Sequence, residues 1–325
     1  MASLETTYAG LKLRNPIIVS SSGLTDSPEK NKKLYEAGAG AIVLKSLFEE
    51  QVMKDADWQG DMGSYAEGSD YLVEFMRENQ LGEYLGLIRE TKKVCPIPVI
   101  ASMNCYHDTE WVNVAKQIEA AGADAIEINI LALQTDVDYT FGAFEQHHVN
   151  ILRHVKSNVQ IPVIMKLGKN FTNPIALIHA LYLNGAAAVV LFNRFYQPDI
   201  DIEHLKQISG AVFSSEIELA RSLRWVGIAS AAVDKLDYAV SGGIHSPEGV
   251  VKAILSGAAA VEICSAFYQN SYALLNQYLN FLNVWMEQKG MQSINEFKGR
   301  LNVKDLDGVN TFERSQFMRY FSLHK

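Results

Sequence analysis

Eight short runs rich in β-branched residues constrain the fold of this chain more than any other feature of its sequence. Each run is closed by a turn and followed by a stretch whose apolar residues recur at helical spacing. Within the runs polar and apolar residues alternate little, which is typical of parallel strands covered on both faces. The runs cover residues 16–22, 41–47, 97–104, 124–130, 161–168, 187–193, 237–243 and 259–265.

A phrase repeated at four helix-to-strand junctions supports this alternation. A helix ends in Gly-Ala and the next strand begins within a few residues, in 36–44, 120–128, 183–191 and 255–263. Glycine suits the left-handed conformation of a helix C-cap, and the short connection fits βα units. A doubly wound sheet could use the same phrase. Eight such units without a second pattern favour an α/β fold with one closed (β/α)8 TIM barrel, a single domain over residues 1–325.

Two stretches fall outside the repeating pattern, residues 48–80 and residues 194–215. We expect both to be long loop excursions at the C-terminal face, where such barrels carry their active sites. Within the second, the turn residues of Pro198–Asp201 predict a loop.

Charge and composition exclude several classes of function. The net charge is −8 and the Lys and Arg residues are scattered, which argues against a nucleic-acid partner. A signal peptide and a long apolar run are both missing, so we predict a cytoplasmic protein that does not enter a membrane. Cys95, Cys105 and Cys264 lack metal-site spacing, so no metal is predicted. His147 and His148 are expected at the surface, since no ligand lies at metal-binding spacing.

Polar and small residues stand at the ends of the predicted strands and would meet at one mouth. A lysine inside an apolar strand is costly to bury unless an anion meets it, so Lys45 and Lys166 predict an anionic ligand. Small residues after the last two strands suggest that a phosphate approaches the backbone there. The full set is Ser20, Ser21, Lys45, Ser46, Asn104, Asn129, Lys166, Asn193, Gly242, Gly243, Cys264 and Ser265.

Several motifs, in order over nearly the whole chain, resemble the dihydroorotate dehydrogenase family. They are NPIIVSSSG, VLKS, EINI, VIMKL, SGGIHSPEGVVKAILSGAAAVEICSA and WMEQKGMQSINEFKG. The resemblance implies a barrel that binds FMN at its C-terminal face and oxidises a small molecule, dihydroorotate, to orotate in pyrimidine biosynthesis. Without an N-terminal membrane-binding helix, the chain is similar to the soluble classes of the family. For these classes a homodimer is the expectation.

The resemblance also assigns roles to individual residues. Lys45 and Ser46 would contact the flavin and the edge of the substrate pocket, and Lys166 the pyrimidine end of the flavin. Asn129 and Asn193 would hydrogen-bond the substrate. Ser20, Ser21 and Asn104 would complete the cofactor site, and Gly242, Gly243, Cys264 and Ser265 would hold the FMN phosphate. The family commonly has Gly-Thr where this chain has Cys264-Ser265.

The catalytic loop departs from the family pattern. The soluble classes have Asn-Leu-Ser-Cys-Pro-Asn after the fourth strand, with the Cys as base, whereas this chain has Ala132 in that position and Gln134 for the last Asn. The family's closing loop has no clear counterpart in residues 60–72 either. Replacement bases are conceivable, although for each candidate an ordinary loop or packing role is the stronger expectation. The candidates are Thr135, Asp136, Asp138, Tyr139 and Cys105.

Three hypotheses stay open at this point. The chain is a dihydroorotate dehydrogenase with altered base chemistry, an FMN oxidoreductase for a different small substrate, or a flavin-binding protein without turnover. Retention of Asn129 and Asn193 favours the first, and the loss of the Cys and the closing loop favours the second.

Overall fold

Strands and helices alternate along the chain in the computed structural model, which describes residues 2–49, 66–106, 111–305 and 312. The strands are β1 Thr6–Tyr8, β2 Leu11–Leu13, β3 Ile17–Val19, β4 Ala41–Val43, β5 Leu47–Phe48, β6 Val99–Asn104, β7 Ala125–Asn129, β8 Val163–Leu167, β9 Ala188–Leu191, β10 Pro198–Asp201, β11 Lys206–Ser209, β12 Asp237–Ser241 and β13 Ala260–Ile263. The helices are α1 Pro28–Glu36, α2 Ala66–Val94, α3 Trp111–Ala120, α4 Ala143–Lys156, α5 Pro174–Leu183, α6 Leu219–Ala232, α7 Pro247–Ser256, α8 Ser265–Gln269 and α9 Ala273–Gln288.

Eight of these strands form a closed parallel barrel. Around the ring they follow chain order, β3, β4, β6, β7, β8, β9, β12 and β13. The ring closes because β13 pairs with β3, and β4 pairs with β6 on the other side. The short strand β5 only extends the pairing beside β6. Each predicted run contains one barrel strand, so the predicted (β/α)8 barrel is confirmed.

The amino-terminal end of the barrel is sealed by the β1–β2 hairpin. Tyr8 and Leu13 of this hairpin are buried against small and β-branched residues that line the lower barrel interior. Thr6 Oγ1 donates to the Ala259 carbonyl at 3.0 Å, which fixes the hairpin to the strand ends. Any site inside the barrel must therefore open at the carboxyl ends of the strands.

Glycine ends the helix at each of the four predicted junctions. Gly38, Gly122, Gly185 and Gly257 all have φ values between 92° and 120°, where residues with a Cβ are strained. At Gly257 a Cβ would also lie 2.1 Å from Ser230 Oγ. The predicted glycine caps are confirmed.

Both stretches outside the pattern differ from expectation. The prediction of a loop at Pro198–Asp201 is wrong, because these residues form β10 and pair antiparallel with β11 in an exposed hairpin. The excursion predicted over residues 48–80 is shorter, since the chain from Ala66 onward belongs to α2, while residues 50–65 lie outside the described residues. Packing of Tyr84 and Ile88 in the core supports this helix despite its glycines. Of the helices that the structure describes, none combines the length and apolar character needed to cross a membrane.

Candidate functional site at the barrel mouth

The predicted site residues come together at the carboxyl ends of the barrel strands. In the strand register Asn104 lies opposite Asn129, and Asn129 lies opposite Lys166. The other residues follow neighbouring strands: Ser20 and Ser21 after β3, Lys45 and Ser46 after β4, Asn193 after β9, Gly242 and Gly243 after β12, and Cys264 and Ser265 after β13. Residues from all eight strands thus surround one mouth.

Lys166 lies inside the barrel, where it contacts two carboxyl groups and a hydroxyl. Its Nζ is 2.6 Å from Glu262 Oε2, 3.2 Å from Glu127 Oε1 and 3.1 Å from Ser20 Oγ. All four side chains are buried. Burial favours the neutral amine, but the two carboxyl groups outweigh it and raise the pKa of Lys166. The structure therefore holds a fixed cation beneath the mouth.

The second predicted lysine, Lys45, has a different environment. Its side chain is exposed and has no ion-pair partner among the described residues. Beside it, Ser46 Oγ lies 3.0 Å from Ser21 Oγ and 2.7 Å from the buried Ser102 Oγ, so three hydroxyls form a chain across the strand ends. Lys45 can therefore meet an anion that arrives from solvent, whereas Lys166 is already balanced from within.

Two amide side chains lie next to each other across the mouth. Asn193 Nδ2 donates to Asn129 Oδ1 at 2.9 Å, and Asn193 Oδ1 accepts from the Arg194 backbone N–H at 2.8 Å. The Arg194 guanidinium is bonded to Glu218 Oε1 at 3.1 Å and to the carbonyl of Ala211 at 2.7 Å. These bonds hold the excursion after β9 against the mouth. In the described part of the chain nothing accepts from Asn129 Nδ2, which can donate to a bound molecule.

Backbone conformation favours glycine at both positions after β12, and close packing requires it at the second. Gly242 and Gly243 have φ values of 86° and 79°. A Cβ on Gly243 would lie 2.3 Å from the backbone nitrogen of Leu219, whereas a Cβ on Gly242 would meet nothing within 4 Å. Gly242 therefore leaves open space at the mouth, and Gly243 allows helix α6 to approach.

Amides and hydroxyls gather around Ser214, beside the glycine pair. Ser214 Oγ accepts from Gly243 N at 3.3 Å and lies 3.0 Å from His245 Nε2. The Ser214 backbone N–H donates to Ser265 Oγ at 3.1 Å. Cys264 precedes Ser265, and burial raises the pKa of its thiol. This group of backbone amides and hydroxyls is chemically suited to a phosphate.

The loop after β7 places no side chain as an evident proton acceptor. Ala132 is only partly exposed and the chain that follows it is mostly exposed. Asp136 Oδ1 accepts from the Asp138 N–H at 3.0 Å and so closes its own turn. Tyr139 Oη accepts from the Phe144 N–H at 3.1 Å, near the start of α4. These contacts give both residues a local structural role.

Cys105, the candidate thiol after β6, belongs to the core. Its side chain is fully buried in the cluster between strands and helices. Burial raises the pKa of this thiol, with a further contribution from Glu49. This placement favours packing over proton transfer.

The prediction that His148 lies at the surface is wrong. His148 is buried between Phe144 and Phe171, with ring centroids 4.5 and 5.1 Å away, and its Nδ1 donates to the Phe144 carbonyl at 2.8 Å. Burial lowers its pKa to about 4, so the ring is neutral at physiological pH. Its spacing of four residues from Phe144 and Leu152 on the apolar stripe of α4 was the available sequence signal.

Sequence reasoning missed five polar residues at the site: Ser102, Glu127, Ser214, His245 and Glu262. Glu127 precedes Asn129 by two residues, and Glu262 precedes Cys264 by two. Because strand side chains alternate between two faces, this spacing points both carboxyl groups into the barrel. A charge inside an apolar strand was a signal at both positions.

The fold and the site place this protein among the (β/α)8 barrels that bind their ligand at the carboxyl ends of the strands. The family model described as dihydroorotate dehydrogenase matches residues 3–286. The chain belongs to the dihydroorotate dehydrogenase family. It is therefore an oxidoreductase that resembles dihydroorotate dehydrogenase.

Curated relatives carry three different activities. The chain is 28% identical to the catalytic subunit of dihydroorotate dehydrogenase B (NAD(+)) of Thermoplasma volcanium, over 92% of this chain and 98% of the relative. It is 25% identical to the NAD-dependent dihydropyrimidine dehydrogenase subunit PreA of Escherichia coli K12, over 94% and 79%. It is 24% identical to dihydroorotate dehydrogenase A (fumarate) of Lactobacillus delbrueckii subsp. bulgaricus, over 93% and 99%. Similarity of this extent does not single out one substrate.

Proposed function

We propose that this chain is an FMN-dependent oxidoreductase that acts on a CH–CH bond of a small cyclic substrate, with dihydroorotate oxidised to orotate as the first candidate. The observation that carries the proposal is the arrangement of one mouth. The mouth brings together a buried cation, two amides, and a group of glycines and hydroxyls suited to phosphate.

The residues present fit an FMN cofactor. The open space at Gly242 and the donors around Ser214 and Ser265 suit the phosphate. Lys166 and Asn104 would contact the flavin, and the other residues that would hold it are Ser20, Ser21, Lys45 and Ser46. When bound, FMN supplies the acceptor for a hydride.

The chain's own residues would bind and orient the substrate. The Asn129–Asn193 pair offers amide donors and acceptors to a ring that carries carbonyl and N–H groups, and Lys45 offers a cation to a carboxylate. Lys166 would stabilise the negative charge that develops on reduction. Ala132 cannot accept a proton, and general-base catalysis is worth a factor of about 10² to 10⁴, so turnover of dihydroorotate is expected to be slow.

A different small substrate is the second candidate. Two observations favour it: the chain has Ala132 where the family pattern has the Cys, and one relative of similar identity is a subunit of dihydropyrimidine dehydrogenase. Under this reading the same amide pair binds a dihydropyrimidine or a related ring without the carboxylate. Flavin binding without turnover has no specific observation in its favour.

An anaerobic flavin reduction experiment separates these functions. The purified protein is examined for a flavin spectrum, and bleaching is followed after addition of dihydroorotate or, separately, dihydrouracil. Ala132→Cys, with Ala132→Ser as the matched control, is expected to speed bleaching by dihydroorotate by about 10-fold or more. Bleaching by dihydrouracil alone would establish the second candidate, and bound flavin that neither compound reduces would contradict both.

The location and the assembly of the protein stay predictions. We keep the cytoplasmic location as a proposal from the sequence, and the homodimer as a proposal from the family resemblance. Light scattering of the purified chain measures its mass in solution and tests the homodimer.

A further inference from the structure

Three ionisable side chains share the barrel interior below the mouth. The side chains of Glu127 and Glu262 are each 1% exposed, and that of Lys166 is 6% exposed. Two ionised carboxylates and one ammonium would leave a net negative charge in an environment of low polarity. Such a charge is strongly disfavoured unless a proton or a second cation neutralises it.

The hydrogen bonds of the two carboxyl groups are unequal. Glu262 Oε2 accepts from Lys166 Nζ at 2.6 Å and from Ser20 Oγ at 3.0 Å. Within the part of the chain that the structure describes, Glu127 Oε1 accepts from Lys166 Nζ alone, at 3.2 Å. Two strong donors stabilise an ionised carboxylate, and one long contact does so much less, so Glu262 is the better site for the negative charge.

One oxygen of each carboxyl group is left over. Within the described residues, Glu127 Oε2 and Glu262 Oε1 are buried and have no hydrogen-bond donor. Tyr8 is the neighbouring group from the hairpin below, but its hydroxyl donates to no described atom. Buried acceptors without a donor are rare. A proton on one of the two carboxyl groups would supply a donor.

We propose that Glu127, Glu262 and Lys166 form a charge-balanced unit in which the two carboxyl groups share one proton, held mainly by Glu127. Glu262 and Ser20 then act as positioning residues that hold the Lys166 ammonium below the mouth. We also infer that this unit sets the charge next to the flavin ring, and this second part rests on the proposed function. The proton sharing does not.

The pKa directions of the groups agree with this assignment. Burial, followed by the charge of Glu262, raises the pKa of Glu127. Burial also acts to raise the pKa of Glu262, but the charge of Lys166, the neighbouring Glu127 carboxyl group and the hydrogen bonds from Lys166 and Ser20 outweigh it and lower that pKa. The two carboxyl groups therefore titrate as a pair, with their proton affinities pushed apart.

Infrared spectroscopy tests the shared proton without any flavin. At about pH 8 exposed carboxyl groups are ionised, so a carboxylic acid carbonyl band must come from a buried group. We expect this band in the native protein and its loss in Glu127→Gln. We also expect its loss in Glu262→Gln, because Glu127 then becomes the only carboxyl partner of Lys166 among the described residues and ionises. A band that persists in E262Q, or that is missing from the native protein, would overturn the shared proton.

The flavin midpoint potential of the FMN-loaded protein tests the functional part. Each single variant keeps one carboxylate beside Lys166, so its potential should stay near the native value. The double variant E127Q/E262Q leaves the ammonium unbalanced, which favours the more negative reduced flavin and should raise the potential. A rise in either single variant would mean that both carboxyl groups are ionised in the native protein. An unchanged potential in the double variant would overturn the effect on the flavin.

A failure of the shared proton and a failure of the proposed function can be told apart. If the double variant does not fold, the infrared spectra of the single variants still decide the proton sharing. If the protein binds no FMN, the proposed function fails while the infrared result stands by itself.

Discussion

The two sides of the barrel mouth are built in different ways. The side that we propose for the cofactor is called the cofactor side and is defined as the ends of β8, β12 and β13. There Lys166, Gly243 and Ser265 are tied by hydrogen bonds to residues far away in the chain. On the loop side, defined as residues 131–142, the polar side chains bond mainly to neighbours within a few residues or face solvent.

The difference separates two requirements of the same site. A charged or tightly packed group must be held rigidly, because burial makes any loss of its partners costly. A loop whose contacts are local can change sequence without disturbing the barrel. This explains how the cofactor side can match the family pattern while Ala132 replaces the expected Cys on the loop side.

The largest expected effect comes from removing the buried cation. Lys166→Met leaves two buried carboxyl groups without their partner and should lower the free energy of unfolding by about 3–5 kcal/mol. Lys45→Met, the same change at the exposed lysine, should alter it by no more than about 0.5 kcal/mol. Urea denaturation of both variants measures this, and equal losses would show that the two lysines are not as different as their burial indicates.

The next effect concerns the glycine pair on the cofactor side. Gly243→Ala combines a strained positive φ with a Cβ against the Leu219 backbone, so it should destabilise the protein by about 2–4 kcal/mol. Gly242→Ala has the strain alone and should cost about 1–2 kcal/mol. Thermal or urea unfolding gives the order of the two variants. The reverse order would mean that helix α6 yields easily at this contact.

An acid-dependent loss of stability is expected beneath the loop side. The folded pKa of His148, about 4, lies below the ordinary value of about 6.5, so the unfolded chain binds a proton first as the pH falls. Stability is therefore lost on acidification, by about 2 kcal/mol between about pH 7 and pH 5.

Two substitutions isolate this contribution. His148→Leu should remove about 2 kcal/mol of the pH dependence in urea denaturation at the two pH values. His147→Leu, at the neighbouring and less buried position, leaves His148 in place and should keep the dependence. An unchanged slope in the His148 variant would assign the acid sensitivity to other groups.

The smallest effect should come from the loop itself. Tyr139→Phe removes the acceptor of the Phe144 N–H and should cost about 1 kcal/mol of unfolding free energy, with little change in the rate of flavin reduction. Asp136→Ala, which opens one exposed turn, should cost less. Stopped-flow reduction of both variants is the check, and a loss of about 10²-fold in either would identify it as the missing base.

Predictions from the sequence succeeded where neighbouring residues carry the information. The strand runs, the glycines at helix ends and the apolar faces of the helices are patterns of short spacing. All eight barrel strands and the predicted mouth residues could therefore be located from the sequence. The prediction of a loop at Pro198–Asp201 failed. Its turn residues outweighed a strand pattern that becomes evident only from the pairing with β11. His148 failed for a similar reason, since the aromatic partner Phe171 comes from a different segment.

The sequence by itself determined the barrel and many of the residues at its mouth, because the alternation of strands and helices and the two-residue period within strands are local properties. Only the tertiary structure decided how those residues differ in role. Lys166 meets Ser20, Glu127 and Glu262 across separations of 146, 39 and 96 residues, while Lys45 at an equivalent strand end stays exposed. Burial and charge balance depend on which distant strands become neighbours, and closure of the barrel is what brings them together.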